Sequence, residues 1–304
     1  MKNALIYYYN INVSSIHQKN DVYYFNVENN NYIFLKYDYS DELDDIYRLN
    51  KFLYQSNPCF YQIILNKNNE ILTFIDNITY ILLKFGEQSN IVSLNEIIKL
   101  NNTVMPLNKP KRDNWNKLWC DKVDYFEYQI TQIGKKYPII RESFNYYLGL
   151  SEMAIALYNN TPKDNLYLSL SHKRIIDLYN PLNIIVDFRV RDVCEYFKTK
   201  FFSSVNIDEE LNLFLTNNNL TNNEKNIFIS RMLFPTYYFD LYELIIEGKE
   251  DENCIKKIIV KANEYEKILK KIYFHFKINN NLYIEWFENF NLYERLLLLL
   301  GLHF

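Results

Sequence analysis

Residues 168-LSLSHKRIIDLYNPLNIIVDFRVRDVCEYFK-198 combine a histidine, His172, with a strand-like apolar run and three aspartates, Asp177, Asp187 and Asp192. The run "NIIV" reads as a short buried strand, so Asp187 emerges at a strand end. Asp192 is followed three residues later by Glu195 and then by "VCEYFKTKFF". That is capping-box spacing; it predicts a helix from Val193 and gives Asp192 and Glu195 a structural role at its start.

Outward from this stretch, the second half of the chain has helical periodicity. "WNKLWCDKVDYFEYQITQIGKKY" and "RESFNYYLGLSEMAIALYNN" carry apolar residues at spacings of three and four. The pattern resumes in "DEELNLFLTNN", in "NEKNIFISRMLFPTYYFDLYELIIEG" and from Glu252 onward, with Pro235 expected to kink or divide the second of these. The first half reads differently. "ALIYYYNI" and "DVYYFNVENNNYIFLKYD" predict strands joined by polar turns. Ser40 is the candidate N-cap of a helix in "DELDDIYRLNKFLYQ". "FYQIILNKNNEILTFIDNITYILLKFG" then predicts an antiparallel meander ending at Gly86. A short amphipathic helix is expected at 91–101, before the polar crossing "NNTVMPLNKPKRDN".

The chain of 304 residues is long enough for about two domains of roughly 150 residues. Its 48% hydrophobic and 23% charged residues fit a folded globular protein. The net charge of −3 and scattered lysines supply no basic stripe for a nucleic-acid backbone. The apolar runs "IYYYNINV" and "LLLLLGL" fall short of the ~18 residues that span a bilayer, and no cleavable-signal pattern follows "MKN"; the expectation is a cytoplasmic protein with no membrane partner. Cys59, Cys120, Cys194 and Cys254 have no metal-ligand spacing and are expected to be buried thiols. The 28 tyrosines and 21 phenylalanines accompany abundant Asn, Ile and Lys, all AT-rich codons, so aromatic richness carries little functional weight.

The phrases "NYYLGLSEMAIALYNN", "IIVDFRVRDVCEYFK" and "SRMLFPTYYFDLYELI", in this order after a strand-strand-helix-meander pattern, resemble bacterial spore-coat-associated proteins of the YutH and CotS kind. Those are relatives of the aminoglycoside and choline phosphotransferases. The resemblance implies an α+β, bilobed, protein-kinase-like fold. Its parts would be a small antiparallel-sheet lobe at 1–86, a hinge and crossing at 87–114, and a larger, mostly helical lobe at 115–304.

It also implies where phosphoryl-transfer groups should stand. Lys36 in "YIFLKYD" takes the place of the phosphate-binding lysine, with Glu42 or Asp45 on the next helix as its partner; the other reading is a solvated lysine on a strand edge. No glycine-rich loop precedes it, since "NVENNNY" occupies that turn. The catalytic loop of active relatives reads HGD, with Asn following after four residues. Here "SHKRIIDLYN" keeps His172, but Lys173 replaces the glycine, Arg174 replaces the aspartate, and Tyr179 stands at the asparagine's place with Asn180 one residue late. Asp187 is the remaining candidate for a cofactor-binding carboxylate, its alternative being an ion pair with Arg189 or Arg191. No cofactor is therefore expected. The function implied is a catalytically degenerate kinase-fold protein in structure or assembly, with protein partners that are coat components in a spore-former. The alternatives are an ATP- and magnesium-dependent phosphotransferase acting on a small alcohol or amine, and a binding module that retains a ligand in the old cleft.

Overall fold

The computed structural model describes residues 1–38, 40–86, 92–103, 109–112, 114–164, 166–278 and 282–288. The "EQSN" following Gly86 and the C-terminal helical periodicity beyond residue 288 lie outside these. The chain divides into two compact units, one made of Met1–Arg112 with Leu168–Arg189, the other of Asp113–Tyr167 with Val190–Phe304.

The first unit opens with helix α1 (Lys2–Tyr9), where the sequence pattern predicts a strand. "ALIYYYNI" is apolar almost throughout, so periodicity cannot separate a short helix from a strand. Leu5 is fully buried, and Asn10 stops the helix in the left-handed region at φ 56°. Strands β1 (His17–Lys19), β2 (Val22–Val27) and β3 (Asn30–Lys36) follow, then helix α2 (Leu43–Ser56) and strands β4 (Gln62–Ile64), β5 (Thr73–Ile75) and β6 (Ile78–Phe85). The sheet order is β1-β2-β3-β6-β4, with β5 on β6, and every pairing is antiparallel. Asp76 and Asn77 both have positive φ between the paired Ile75 and Ile78, the geometry of a tight type I′ hairpin.

The central strand β6 is buried on both faces, which is why its sequence is a continuous apolar run. Tyr80 and Leu82 pack with Leu5, Phe25 and Phe34 on one side. Ile81 and Leu83 pack with Leu43 and Ile46 of α2 on the other. Ser40 does not cap α2. The N-cap is Glu42, without a side-chain bond, while the Ser40 hydroxyl meets the Tyr37 hydroxyl at 3.0 Å. Asn50, buried on α2, ties the helix to β4: its amide donates to Tyr61 O at 2.6 Å and accepts from Ile63 N at 2.9 Å. Helix α3 (Leu94–Asn101) is capped by Ser93, whose hydroxyl accepts from Glu96 N.

Strands β7 (Leu168–His172) and β8 (Ile184–Phe188) form an antiparallel hairpin. Sequence position alone assigns this hairpin to the helical half; its contacts group it with the first unit. Residues 110–112 run parallel to β8, with Val186 N donating to Pro110 O at 2.7 Å and Arg112 N donating to Val186 O at 2.9 Å.

The second unit is helical: α4 (Trp115–Ile133), α5 (Pro138–Asn160), α6 (Arg191–Phe202), α7 (Asp208–Asn217), α8 (Asn222–Leu233), α9 (Thr236–Ile246), α10 (Lys256–Ile259) and α11 (Ala262–Lys277). Pro235 divides α8 from α9, as its position predicts. Stacked aromatic pairs fill the core, including Trp119 on Phe234 at 4.5 Å and Tyr147 on Tyr238 at 3.8 Å between centroids. Among the described residues, no helix is long and apolar enough to cross a membrane. Of the cysteines only Cys194 is buried, and burial pushes its thiol well above the usual range; Cys59 is exposed, contrary to expectation. It lies in the polar turn after α2, where nothing covers it.

Candidate functional site: the 173–183 loop

The β7–β8 hairpin carries the loop in which the sequence places the catalytic residues. His172 ends β7 fully buried, and its Nε2 lies 2.8 Å from Leu178 O, so the ring closes the loop on itself. Lys173 continues the ladder by donating its N–H to Asn183 O at 2.8 Å, while its Nζ donates to Leu182 O at 2.9 Å. Burial holds the Lys173 ammonium below its ordinary pKa; Glu42 opposes that shift and Arg112 adds to it.

Arg174 sits in the aspartate's place on the exposed part of the loop. Its main chain is clasped by Asn183, a residue the motif reading passes over. The Asn183 Oδ1 accepts from Arg174 N at 3.0 Å, and Nδ2 donates to Arg174 O at 2.9 Å and Ile176 O at 2.6 Å. Asn180, one place late for a metal ligand, donates to Asp177 Oδ2 at 3.0 Å and caps the 3-10 turn Pro181–Asn183 through Leu182 N. Both amides are engaged in holding the loop's shape.

Tyr179, at the asparagine's place, reaches the other way. Its hydroxyl donates to Glu96 on α3, its carbonyl accepts from Tyr61 N at 3.0 Å, and its ring meets Phe60 edge-on at 5.2 Å. That hydrogen bond is the main reason the Glu96 carboxyl lies below its usual range, with burial opposing and Lys99 assisting. Burial and the Glu96 carboxylate push the Tyr179 phenol well up. Tyr179 and Leu182 thereby join the apolar cluster of α2 and β6. No local pattern in the sequence signals this contact, because every partner is distant along the chain.

Lys36 is exposed at the end of β3, opposite Tyr80. Its expected partners are engaged elsewhere: Glu42 pairs with Arg112 at 3.2 Å and Asp45 with Lys109 at 3.9 Å. The lysine stands on the strand predicted for it, and among the described residues it makes no ion pair to α2. Asp187 lies near the end of β8, fully buried, with Oδ1 accepting from Phe188 N at 2.6 Å. The strand-end position agrees with the sequence reading.

In the second unit, the predicted capping box at Asp192 and Glu195 is absent. Helix α6 begins at Arg191, its N-cap is Val190, and no side chain caps it. Asp192 is inside the first turn, fully buried, and accepts from Arg191 Nη1 at 3.2 Å. Glu195 pairs with buried Lys198 at 2.8 Å. Burial would raise the Glu195 carboxyl, but Lys198 and Arg191 outweigh it and hold it low. Lys198 also donates to Arg231 O at 3.0 Å and Thr236 Oγ1 at 3.0 Å, which ties α6 to the α8–α9 junction. The device at this helix start is a buried charge network and not a cap.

A family model described as "Spore coat putative kinase YutH" matches residues 2–272. The endospore coat-associated protein YutH of Bacillus subtilis (strain 168) is 25% identical over 248 residues, covering 69% of this chain and 72% of the relative. Among solved structures, an aminoglycoside phosphotransferase from Alicyclobacillus acidocaldarius superposes with a TM-score of 0.65 at 11% identity, covering 87% of this chain and 93% of that one. Spectinomycin phosphotransferase APH(9)-Ia, solved with ADP and spectinomycin, superposes with a TM-score of 0.57 at 15% identity, covering 91% of this chain and 97% of that one. Likeness at such identities establishes the kinase-like α+β fold, and the fold alone.

Proposed function

This chain belongs to the spore coat putative kinase YutH family, and we propose that it serves the spore coat as a catalytically degenerate kinase-fold protein, through binding or assembly and not phosphoryl transfer. Its partners are then other coat proteins. The observation that carries the reading is Arg174, standing where the acceptor-orienting aspartate belongs, with its main chain clasped by Asn183. General-base catalysis contributes typically 10²- to 10⁴-fold in rate, and a guanidinium stays protonated at physiological pH.

The residues present do not fit magnesium-ATP. Tyr179 is engaged with Glu96 where an amide ligand belongs, and Glu42 is paired with Arg112 where Lys36 needs it. One observation favours an active phosphotransferase: Asp187 keeps a buried carboxylate near a strand end.

Thermal unfolding with and without magnesium-ATP separates the two. A ligand at 100 times its Kd adds ~2.7 kcal/mol, and each kcal/mol raises Tm by ~2–4 °C in domains of this size. The expected result is no magnesium-dependent shift and no turnover. Magnesium-dependent phosphorylation of any small alcohol or amine, abolished by Asp187→Asn, would overturn the proposal.

A further inference from the structure

Helix α4 carries two apolar faces. One is used inward: Trp119, Val123 and Phe126 are buried, with Trp119 stacked on Phe234 and Phe126 on Phe239. The other faces solvent. Leu118 is 46% exposed, Tyr125 45% and Tyr128 62%, and together with Asp121 they recur at spacings of three, four and three. That is the period of a stripe along one helix face, the kind that a second helix covers. Scattered exposed apolar residues are ordinary on a protein surface. Here their phase sets them apart: codon bias accounts for how many tyrosines the chain has, and not for their alignment on the side of α4 turned away from its core.

The surroundings of the stripe are acidic. Asp121 lies within it, exposed, and makes no ion pair among the described residues. Asp124 stands on the next ridge with Glu127 behind it, both exposed, and Lys117 is the cation on that flank. On the other flank Lys122 is already held by Asp240 of α9 at 2.7 Å and by Glu243 at 3.6 Å. Five carboxylates thus surround the stripe against two ammonium groups. We infer that this face of α4 is the docking surface for a lysine-rich amphipathic helix of another coat protein, an inference that rests on the assembly reading above. Apolar side chains of that helix cover Leu118 and the two tyrosine rings, and its ammonium groups lie over those rings and pair with Asp121. A charged group inside an apolar stripe also fixes the register of the two helices. Charge decides against a second copy of this chain, because α4 laid on its own twin brings these acids together.

The test uses the full chain and a fluorescent synthetic peptide of three heptads, with leucine at the first and fourth positions and lysine and alanine elsewhere. In fluorescence anisotropy the peptide is expected to saturate the native chain, with an affinity that falls as salt is added. Asp121→Lys, and separately Tyr125→Ser with Tyr128→Ser, should each weaken binding roughly tenfold or more, the scale of a hot-spot contact. Asp121→Asn, which keeps the side chain's shape, should lose part of the affinity, and a peptide with glutamate in place of lysine should not bind. Exposed substitutions of this kind leave stability nearly unchanged, which far-ultraviolet dichroism and Tm check. Variants that bind like the native chain, or a glutamate peptide that binds as well as the lysine one, would overturn the inference. So would sedimentation showing a dimer that the paired tyrosine substitution abolishes, because a second copy then covers the face. Peptide binding in a chain that also turns over magnesium-ATP would keep this surface and remove the degenerate reading; no binding in a chain without turnover would remove the surface alone.

Discussion

Replacing Asn183 by alanine tests whether the loop holding Arg174 is fixed from within. The side chain makes three hydrogen bonds to the main chain of Arg174 and Ile176, at 2.6–3.0 Å. Each such bond contributes a net ~0.5–1.5 kcal/mol, and the low end applies because water reaches this surface. Asn183→Ala should therefore lower the local opening free energy by about 1.5 kcal/mol. A change of that size speeds exchange of the Lys173 and Arg174 amides roughly tenfold, since 1.4 kcal/mol is a factor of ten. Asn183→Asp keeps the acceptor for Arg174 N but sets an acceptor-only carboxylate oxygen against the Arg174 and Ile176 carbonyls, so its exchange should be at least as fast as in alanine. Hydrogen exchange read on peptides covering 172–178 is the assay. Exchange unchanged in the alanine variant, or as slow in aspartate as in the native chain, would refute the clasp as what holds the loop.

Asp192→Ala should cost clearly more than the ~1 kcal/mol typical of a lost cap in a denaturant melt, because it removes the fully buried carboxylate of the Arg191–Asp192 ion pair; a loss near 1 kcal/mol would restore the capping reading. Tyr179→Phe should flatten the acid limb of stability. The folded Glu96 carboxyl lies below its unfolded value, chiefly through Tyr179, so its contribution is complete above the unfolded pKa and is lost as pH falls through the folded one. Native and variant proteins should thus differ near neutrality and converge in acid, and parallel stability profiles would count against the contact.

Much of the sheet was legible because its signals are local. The "DN" between two apolar runs is a type I′ turn in fact, and β6 shows its two-sided burial as an unbroken apolar string. Helix α1 was not legible, since an eight-residue apolar segment has no period to read, and only the sheet beneath Leu5 decides its state. That an arginine, Arg174, stands where the resembled motif has an aspartate is visible in the sequence. What the loop does instead is not, because Tyr179 finds Glu96 and Tyr61 from far along the chain. Asp192 misleads for a related reason. Its spacing to Glu195 matches a cap, while burial beside Arg191 sets its actual environment.

The first unit is assembled from two separated pieces of chain, Met1–Arg112 and Leu168–Arg189. On the ribosome, the sheet therefore emerges long before Tyr179 and Leu182 arrive to cover the α2 side of its core. Residues 110–112 likewise wait for Val186 to supply their hydrogen-bond partners. Such late, non-local closure slows folding and leaves apolar surface open in the nascent chain. A fragment ending at Arg112 would carry that surface permanently, so the natural cutting point for this protein is not the linker between its sheet and its first long helix.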